Sequence, residues 1–172
     1  MASSSTSRPL ARPGAAASVT AGRTSSFDVM TSVHVIQTAT AATNRLSRSA
    51  GWMLVELLAD QRVIGFVRYT LTSFPDSDLP HPEIGFGLWD PAARGQGLAA
   101  EAVGLLIEYL LAGYPAERIS AVTDVENLPA QHLLEGLDFR REGIIRRAMF
   151  RDGRWCDLAL YGLLRDEWHP RS

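Results

Sequence analysis

The sequence predicts a single mixed α/β domain, an α+β arrangement built on a mixed sheet. Three observations lead there. Apolar, β-rich runs occur in pairs toward both ends of the chain, each pair split by a short polar turn, as in antiparallel hairpins. Between the pairs, strand, helix, strand and helix alternate, which implies a parallel crossover. The chain has 172 residues, 46% of them hydrophobic, enough for one domain with its own core.

Residues 1–26 are mostly Ala, Ser, Thr, Arg, Pro and Gly, with no acid before Asp28. They read as a disordered tail, and 27–172 as the folded domain. Arg- and Ser-rich composition also describes an organellar transit peptide, but the apolar stretch of a secretory signal is missing. Within 27–49, the even spacing of Phe27, Val29, Val33 and Val35 favours a strand, and the Ala/Thr-rich stretch after it suits a helix. Residues 52–58 and 63–71 flank Asp60-Gln61 as a hairpin. Residues 73–82, with three prolines and two aspartates, form a loop. Residues 83–89 form a strand closed by Asp90-Pro91.

The strongest helix is 98–111, where Ala100, Val103, Leu106, Ile107, Leu110 and Leu111 recur at helical spacing. Gly113-Tyr114-Pro115 ends it. Residues 119–125 form a short strand. Asn127 caps a second helix, with Pro129 tolerated in its first turn, running to about Gly136. Residues 144–150 and 155–163 flank Asp152-Gly153, a strong hairpin signal.

Several function classes are excluded early. No run of 18 apolar residues occurs, so no membrane helix is expected. One cysteine and four scattered histidines lack metal-ligand spacing, so no metal is expected. A net charge of -2 offers nucleic acid no global footing. Its distribution is uneven: residues 51–139 hold four Arg against thirteen Asp and Glu, and 140–154 hold six Arg against two acids. Lysine is absent throughout.

Arg94-Gly95-Gln96-Gly97-Leu98-Ala99 lies between a strand and the apolar helix. Glycines there let backbone approach a ligand, and free amides at the helix start suit an anion, with Arg94 as a forked cation beside them. Pyrophosphate is the natural guest. No Gly-Lys-Ser/Thr follows, which removes a P-loop. A dinucleotide fingerprint fits Gly95, Gly97 and Ala100, with Glu117 about 20 residues on. Against it, five residues separate the strand from that turn, and hairpins surround it.

The run Glu83-Ile-Gly-Phe-Gly-Leu-Trp-Asp-Pro-Ala-Ala-Arg-Gly-Gln-Gly-Leu-Ala-Ala-Glu-Ala102 resembles the GNAT acyltransferase superfamily, in the branch of ribosomal-protein N-terminal acetyltransferases. The family's pyrophosphate loop, R/Q-x-x-G-x-G/A, is met by Arg94, Gly97 and Ala99. Asn127 with its helix, Phe139-Arg-Arg-Glu-Gly143 and Asp152-Gly-Arg-Trp-Cys-Asp157 extend the likeness over residues 52–168. The resemblance implies a central, mostly antiparallel sheet flanked by helices and splayed at the cofactor strand. It implies acetyl-CoA as co-substrate, an amine acceptor (small molecule or protein N-terminus), a cytoplasmic location and a homodimer through edge strands. An acyl-carrier-protein or aminoacyl-tRNA donor and a non-catalytic CoA-binding domain are the alternatives.

The same resemblance assigns residues. Gly87, Leu88 and Trp89 would hold the pantetheine arm. Arg94, Gly95, Gln96, Gly97, Leu98 and Ala99 would form the pyrophosphate loop. Asn127 would contact the arm as well as cap its helix, and Glu83 would serve as base, with Asp124 and Glu126 as weaker candidates. The family's acidic tyrosine is replaced by Leu134, a common serine by Ala130 and a glycine by Asp138, so the general acid is unassigned, with Tyr161 the nearest guess. Cys156, Trp89 and Trp155 read as packing residues. The arginines of 140–154 read as a solvated face or as a grip for the CoA 3′-phosphate, an acidic acceptor or an RNA stem.

Overall fold

The computed structural model describes residues 32–37 and 49–170. Expectations for the tail, for Phe27 and Val29 and for the Ala/Thr-rich stretch lie outside these residues. Seven strands form one sheet: β1 (Val33–Gln37), β2 (Ala50–Leu57), β3 (Val63–Thr72), β4 (His81–Leu88), β5 (Arg118–Asp124), β6 (Arg140–Arg151) and β7 (Arg154–Leu164). Their order is β1-β2-β3-β4-β5-β7-β6. Each neighbouring pair is antiparallel except β4 and β5. The crossover between those two carries α1 (Leu98–Gly113), and α2 (Leu128–Gly136) follows β5. The mixed, mostly antiparallel architecture is the expected one.

Several boundaries moved, among them the starts of β4 and β6. β4 starts at His81, so the loop gives up its last two residues. Pro82 is tolerated because β4 meets β5 only from Glu83 onward, and a missing N–H there breaks no ladder bond. β6 starts at Arg140, four residues early, and shifts register at Arg141/Gly143 and Ile145/Met149.

Both helices cover one face. Tyr69, Ile84, Ala121 and Tyr161 form a cross-strand row and are buried. Tyr69 meets Tyr109 of α1 and Tyr114 just past its end, and the Tyr69 and Tyr114 hydroxyls lie 2.9 Å apart. Tyr161, at the row's other end, donates to Glu135 of α2 at 2.9 Å. Val103, Leu106, Ile107 and Leu110 of α1 complete the core with Val55, Val67 and Ile119. At roughly 1.5–3 kcal/mol for each large buried apolar side chain, this row and α1 fix the sheet's shape. The other face carries Trp52, Phe66, Arg68, Gly85 and Glu83. Among the described residues, no helix is long and apolar enough to cross a membrane.

Candidate active site

β4 and β5 pair only at Glu83↔Ser120 and Ile84↔Ala121, although β4 continues to Leu88 and β5 to Asp124. Beyond Ile84 the strands part, leaving the β5-facing edge of β4 without a strand partner. The amide of Trp89 donates to Ile64 of β3 at 3.1 Å. In an antiparallel ladder, bonded positions alternate. Residues 85, 87 and 89 therefore spend their backbone groups on β3, and Phe86 and Leu88 turn theirs to the cleft. Of the three residues expected to hold a pantetheine arm, only Leu88 aims its backbone there. Gly87 and Trp89 turn theirs to β3, and Phe86, which the sequence reading did not single out, faces the cleft with Leu88.

Trp89 lies just past the strand, half-exposed, with its indole N–H on the Val63 carbonyl and its ring stacked on Phe66 at 6.2 Å. Gly87 lies under the same ring, since a Cβ there would come within 2.9 Å of Phe66.

The glycine loop is pinned at its base and open at its apex. Asp90 accepts from the Ala92 amide and from Arg62, both at 2.9 Å. Arg94 folds back to donate to the Leu88 carbonyl at 3.1 Å, and Gln96 donates to that of Ala92. Gly95 and Gly97 have φ of 74° and 78°, and a Cβ on either would meet nothing within 4 Å. Gly97 is the N-cap of α1 and supplies no side-chain acceptor. The amides of Leu98 and Ala99 are thus uncapped, at the positive end of a 16-residue helix. Leu98 buries its side chain in the core. Glu101, the acid of that first turn, is tied away: it accepts from the amides of Ser32 and Val33 at 2.5 and 3.1 Å. A pyrophosphate would fit this turn, because two helix amides lack a side-chain acceptor and, among the described residues, the acid of α1's first turn is engaged elsewhere.

Because β4 and β5 are parallel, Asn127 lies at the same edge of the sheet, across the splay from the loop. Its side chain caps α2 weakly, accepting from Ala130 at 3.4 Å, and is exposed. The turn beneath it is fixed. Asp124, with 2% of its side chain exposed, accepts from the Glu126 amide at 2.8 Å and from Arg151 at 2.6 Å. Gln131 donates to the carbonyls of Asp124 and Val125 and accepts from Tyr161. Arg154 clasps Glu126 and holds its carboxyl below the usual range. Asp124 and Glu126 are therefore structural partners, not free bases. Tyr161 is fully buried under α2, where burial and Glu135 push its hydroxyl upward, so it reaches no cleft.

The hairpin arginines are all exposed, as a solvated face would be, and three of them also form ion pairs. Arg151 and Arg154 hold the Asn127 turn, and Arg140 pairs with Glu167 at 2.9 Å. Arg141, Arg146 and Arg147 are exposed. Cys156 is buried as expected, whereas Trp155 is exposed against Phe150. Glu83 stands half-buried on the sheet face away from the helices, in register with Thr70 and Ser120, one residue before the strands part. A cavity of about 500 Å³ lies elsewhere, between Glu135, Arg140 and Glu167, whose side chains already hold partners.

An open strand edge and an uncapped helix start thus meet at one end of the sheet. An acetyltransferase (GNAT) domain profile matches residues 14–140, and the chain belongs to that family. It is 35% identical over 97 residues to the uncharacterized N-acetyltransferase p20 of Bacillus licheniformis, covering 54% of this chain and 52% of that one. The ribosomal-protein-S5-alanine acetyltransferase of Vibrio fischeri superposes with a TM-score of 0.62 at 27% identity, covering 72% and 66%. Mycobacterium smegmatis RimJ, solved with CoA-disulfide, gives 0.63 at 26%, covering 72% and 56%. The chain spans about half the length of the curated relatives it matches.

Proposed function

We propose that the protein is an N-acetyltransferase that moves an acetyl group from acetyl-CoA to a primary amine by direct attack within a ternary complex. The observation that carries this reading is the cleft between β4 and β5, open beside an uncapped helix start. The structures of an alanine acetyltransferase and of a CoA-bound relative support it. Acetyl-CoA would supply the thioester whose acyl carbon the amine attacks. Leu98 and Ala99 amides with Arg94 would bind its pyrophosphate, Phe86 and Leu88 its amide-bearing arm, and Asn127 the arm's far side.

Each group then has a task. A free amide of the β4 edge donates toward the thioester oxygen, where negative charge grows during attack. α1 and its loop lie on one sheet face and Glu83 on the other, so the acceptor enters opposite the cofactor. Amines are mostly protonated near neutral pH, and an ammonium cannot attack. Glu83, directly or through water, therefore takes a proton from the acceptor before or during attack, and the second amine proton passes to solvent or to the departing thiolate. Tyr69, Tyr109 and Tyr114 cluster under α1 and Tyr161 lies under α2, so no tyrosine stands at the cleft mouth. The thiolate leaves without a tyrosine acid.

Glu83→Gln tests the assignment. We expect kcat to fall about a hundredfold or more, while acetyl-CoA affinity by calorimetry stays within about twofold. No acetyl-CoA binding to the wild type would end the proposal, and full activity of the variant would remove Glu83 from it. The exposed Arg141, Arg146 and Arg147 favour a second reading, a carrier-protein or tRNA donor. In that case Arg146→Glu with Arg147→Glu costs far more with the macromolecular donor than with acetyl-CoA.

A further inference from the structure

Among the described residues, Arg68 is the cation on the acceptor face where β4 leaves β5, and it is pre-set. It lies on β3 between Trp52 of β2 and Gly85 of β4, in register with both. Its guanidinium carbon is 5.7 Å from the centre of the Trp52 ring. A Cβ on Gly85 would come within 2.8 Å of its Nε and 3.1 Å of its Nη2. The guanidinium therefore lies across the strand over Gly85, where a side chain would push it aside. Gly85 is also the first β4 residue past the last β4–β5 pair, which puts the cation at the mouth of the splay.

Arg68 is half-buried, yet among the described residues it makes no salt bridge. Other partly buried arginines are engaged: Arg118 pairs with Glu142 at 2.7 Å, and Arg165 donates to the carbonyls of Leu111, Tyr114 and Ala116. A half-buried guanidinium with open donors gains more from an anion than a fully hydrated one does. Glu83 shares the face one register step away, a diagonal neighbour at roughly 7 Å by sheet geometry. A cation and a carboxylate that face one opening without pairing suit a ligand bearing both charges.

We propose that the acceptor is an aminocarboxylate, its amine directed to Glu83 and its carboxylate held by Arg68. The Phe66 and Trp89 rings beside them favour an apolar or aromatic body. This rests on the acetyltransferase reading and narrows it, since the same cation disfavours polyamines. A free amino acid and an acidic protein N-terminus offer the same carboxylate.

The test compares L-phenylalanine, L-phenylalaninamide, phenethylamine, spermidine and an N-terminal Ala-Asp peptide as acceptors. In the wild type, kcat/KM for a carboxylate-bearing acceptor should exceed that for phenethylamine or the amide by about tenfold or more, the worth of a charge-assisted bond. Whether phenylalanine or the peptide leads tells the free amino acid from the protein. Arg68→Gln should lose about ten- to a hundredfold on the preferred acid and far less on phenethylamine. Arg68→Glu should reverse the preference, and Gly85→Ala should weaken it with the charge retained. Equal losses on acid and amine, or spermidine as the best acceptor, would overturn the proposal. If no amine is acetylated but acetyl-CoA binds, calorimetry of phenylalanine against the CoA-loaded protein decides: binding weakened by Arg68→Gln supports it and absence of binding refutes it. Failure of acetyl-CoA itself to bind would instead strike the underlying reading.

Discussion

The two strand-to-helix junctions flanking the splay are built in opposite ways. Between β4 and α1, the chain turns on Gly95 and Gly97, both at positive φ, and begins the helix with no side-chain cap. Between β5 and α2, Asn127 caps the helix, Asp124 and Gln131 satisfy the turn's backbone, and Arg151 and Arg154 reach over from the β6–β7 hairpin. Helix starts leave amides that something must satisfy. The protein satisfies one set with its own side chains and leaves the other without a side-chain cap. On the proposed reading, the open junction would take the pyrophosphate and the closed one would hold Asn127 in place.

Closing the open junction should give the largest effect. In Gly97→Asp the new residue tolerates left-handed backbone better than most and can cap α1, but its carboxylate occupies the anion site. We expect the thermal midpoint to move by only a few degrees and acetyl-CoA affinity to fall about a hundredfold. Unchanged affinity by calorimetry would show that α1 does not receive the pyrophosphate. Loosening the closed junction should act on stability first. Asp124→Ala strips the Glu126 amide and Arg151 of their acceptor. It should cost about 2 kcal/mol in urea unfolding, discounted because Arg151 is half exposed. Acetyl-CoA binding should weaken only a fewfold. A loss below about 0.5 kcal/mol would mean that the clamp is ornamental.

The contrast also explains what was legible in the sequence. The open junction is local: its glycines, Arg94 and the apolar helix lie within the twenty residues 94–113, and their spacing located it. The closed junction joins residues 27 and 28 apart, Asp124 to Arg151 and Glu126 to Arg154. Those meetings depend on the β5–β7–β6 register. β6 hides its own register, because its shifts break the alternation, and Arg147 at φ 50° sits in the larger of them. Arg68 was illegible for another reason. In sequence it is an ordinary polar strand position, and only the pairing with Trp52 and Gly85 shows where its charge lies.

Tyr161 allows a finer cut. Tyr161→Phe removes the bonds to Glu135 and Gln131 while keeping the ring, and should cost about 1 kcal/mol with kcat unchanged. A hundredfold loss of kcat without loss of stability would return the hydroxyl to the chemistry.

The smallest expected effect is one of pH, at the far end of the acceptor face. His81 is buried against Phe74, with rings 5.0 Å apart, two residues before Glu83. Burial, then Arg118 from β5, pushes its pKa below 6.5, while Glu83 on its own strand and Glu142 of β6 pull the other way. The unfolded chain thus takes up a proton at a pH where the folded protein still resists it. His81's contribution is fully present above 6.5 and is lost as pH falls through the lower folded value. His81→Gln, neutral throughout, should lack this loss, so its thermal midpoint should gain on the wild type as pH drops from 7 toward 5. A constant gap over that range would mean that the histidine titrates alike in both states, and that its burial imposes no charge constraint on the strand carrying Glu83.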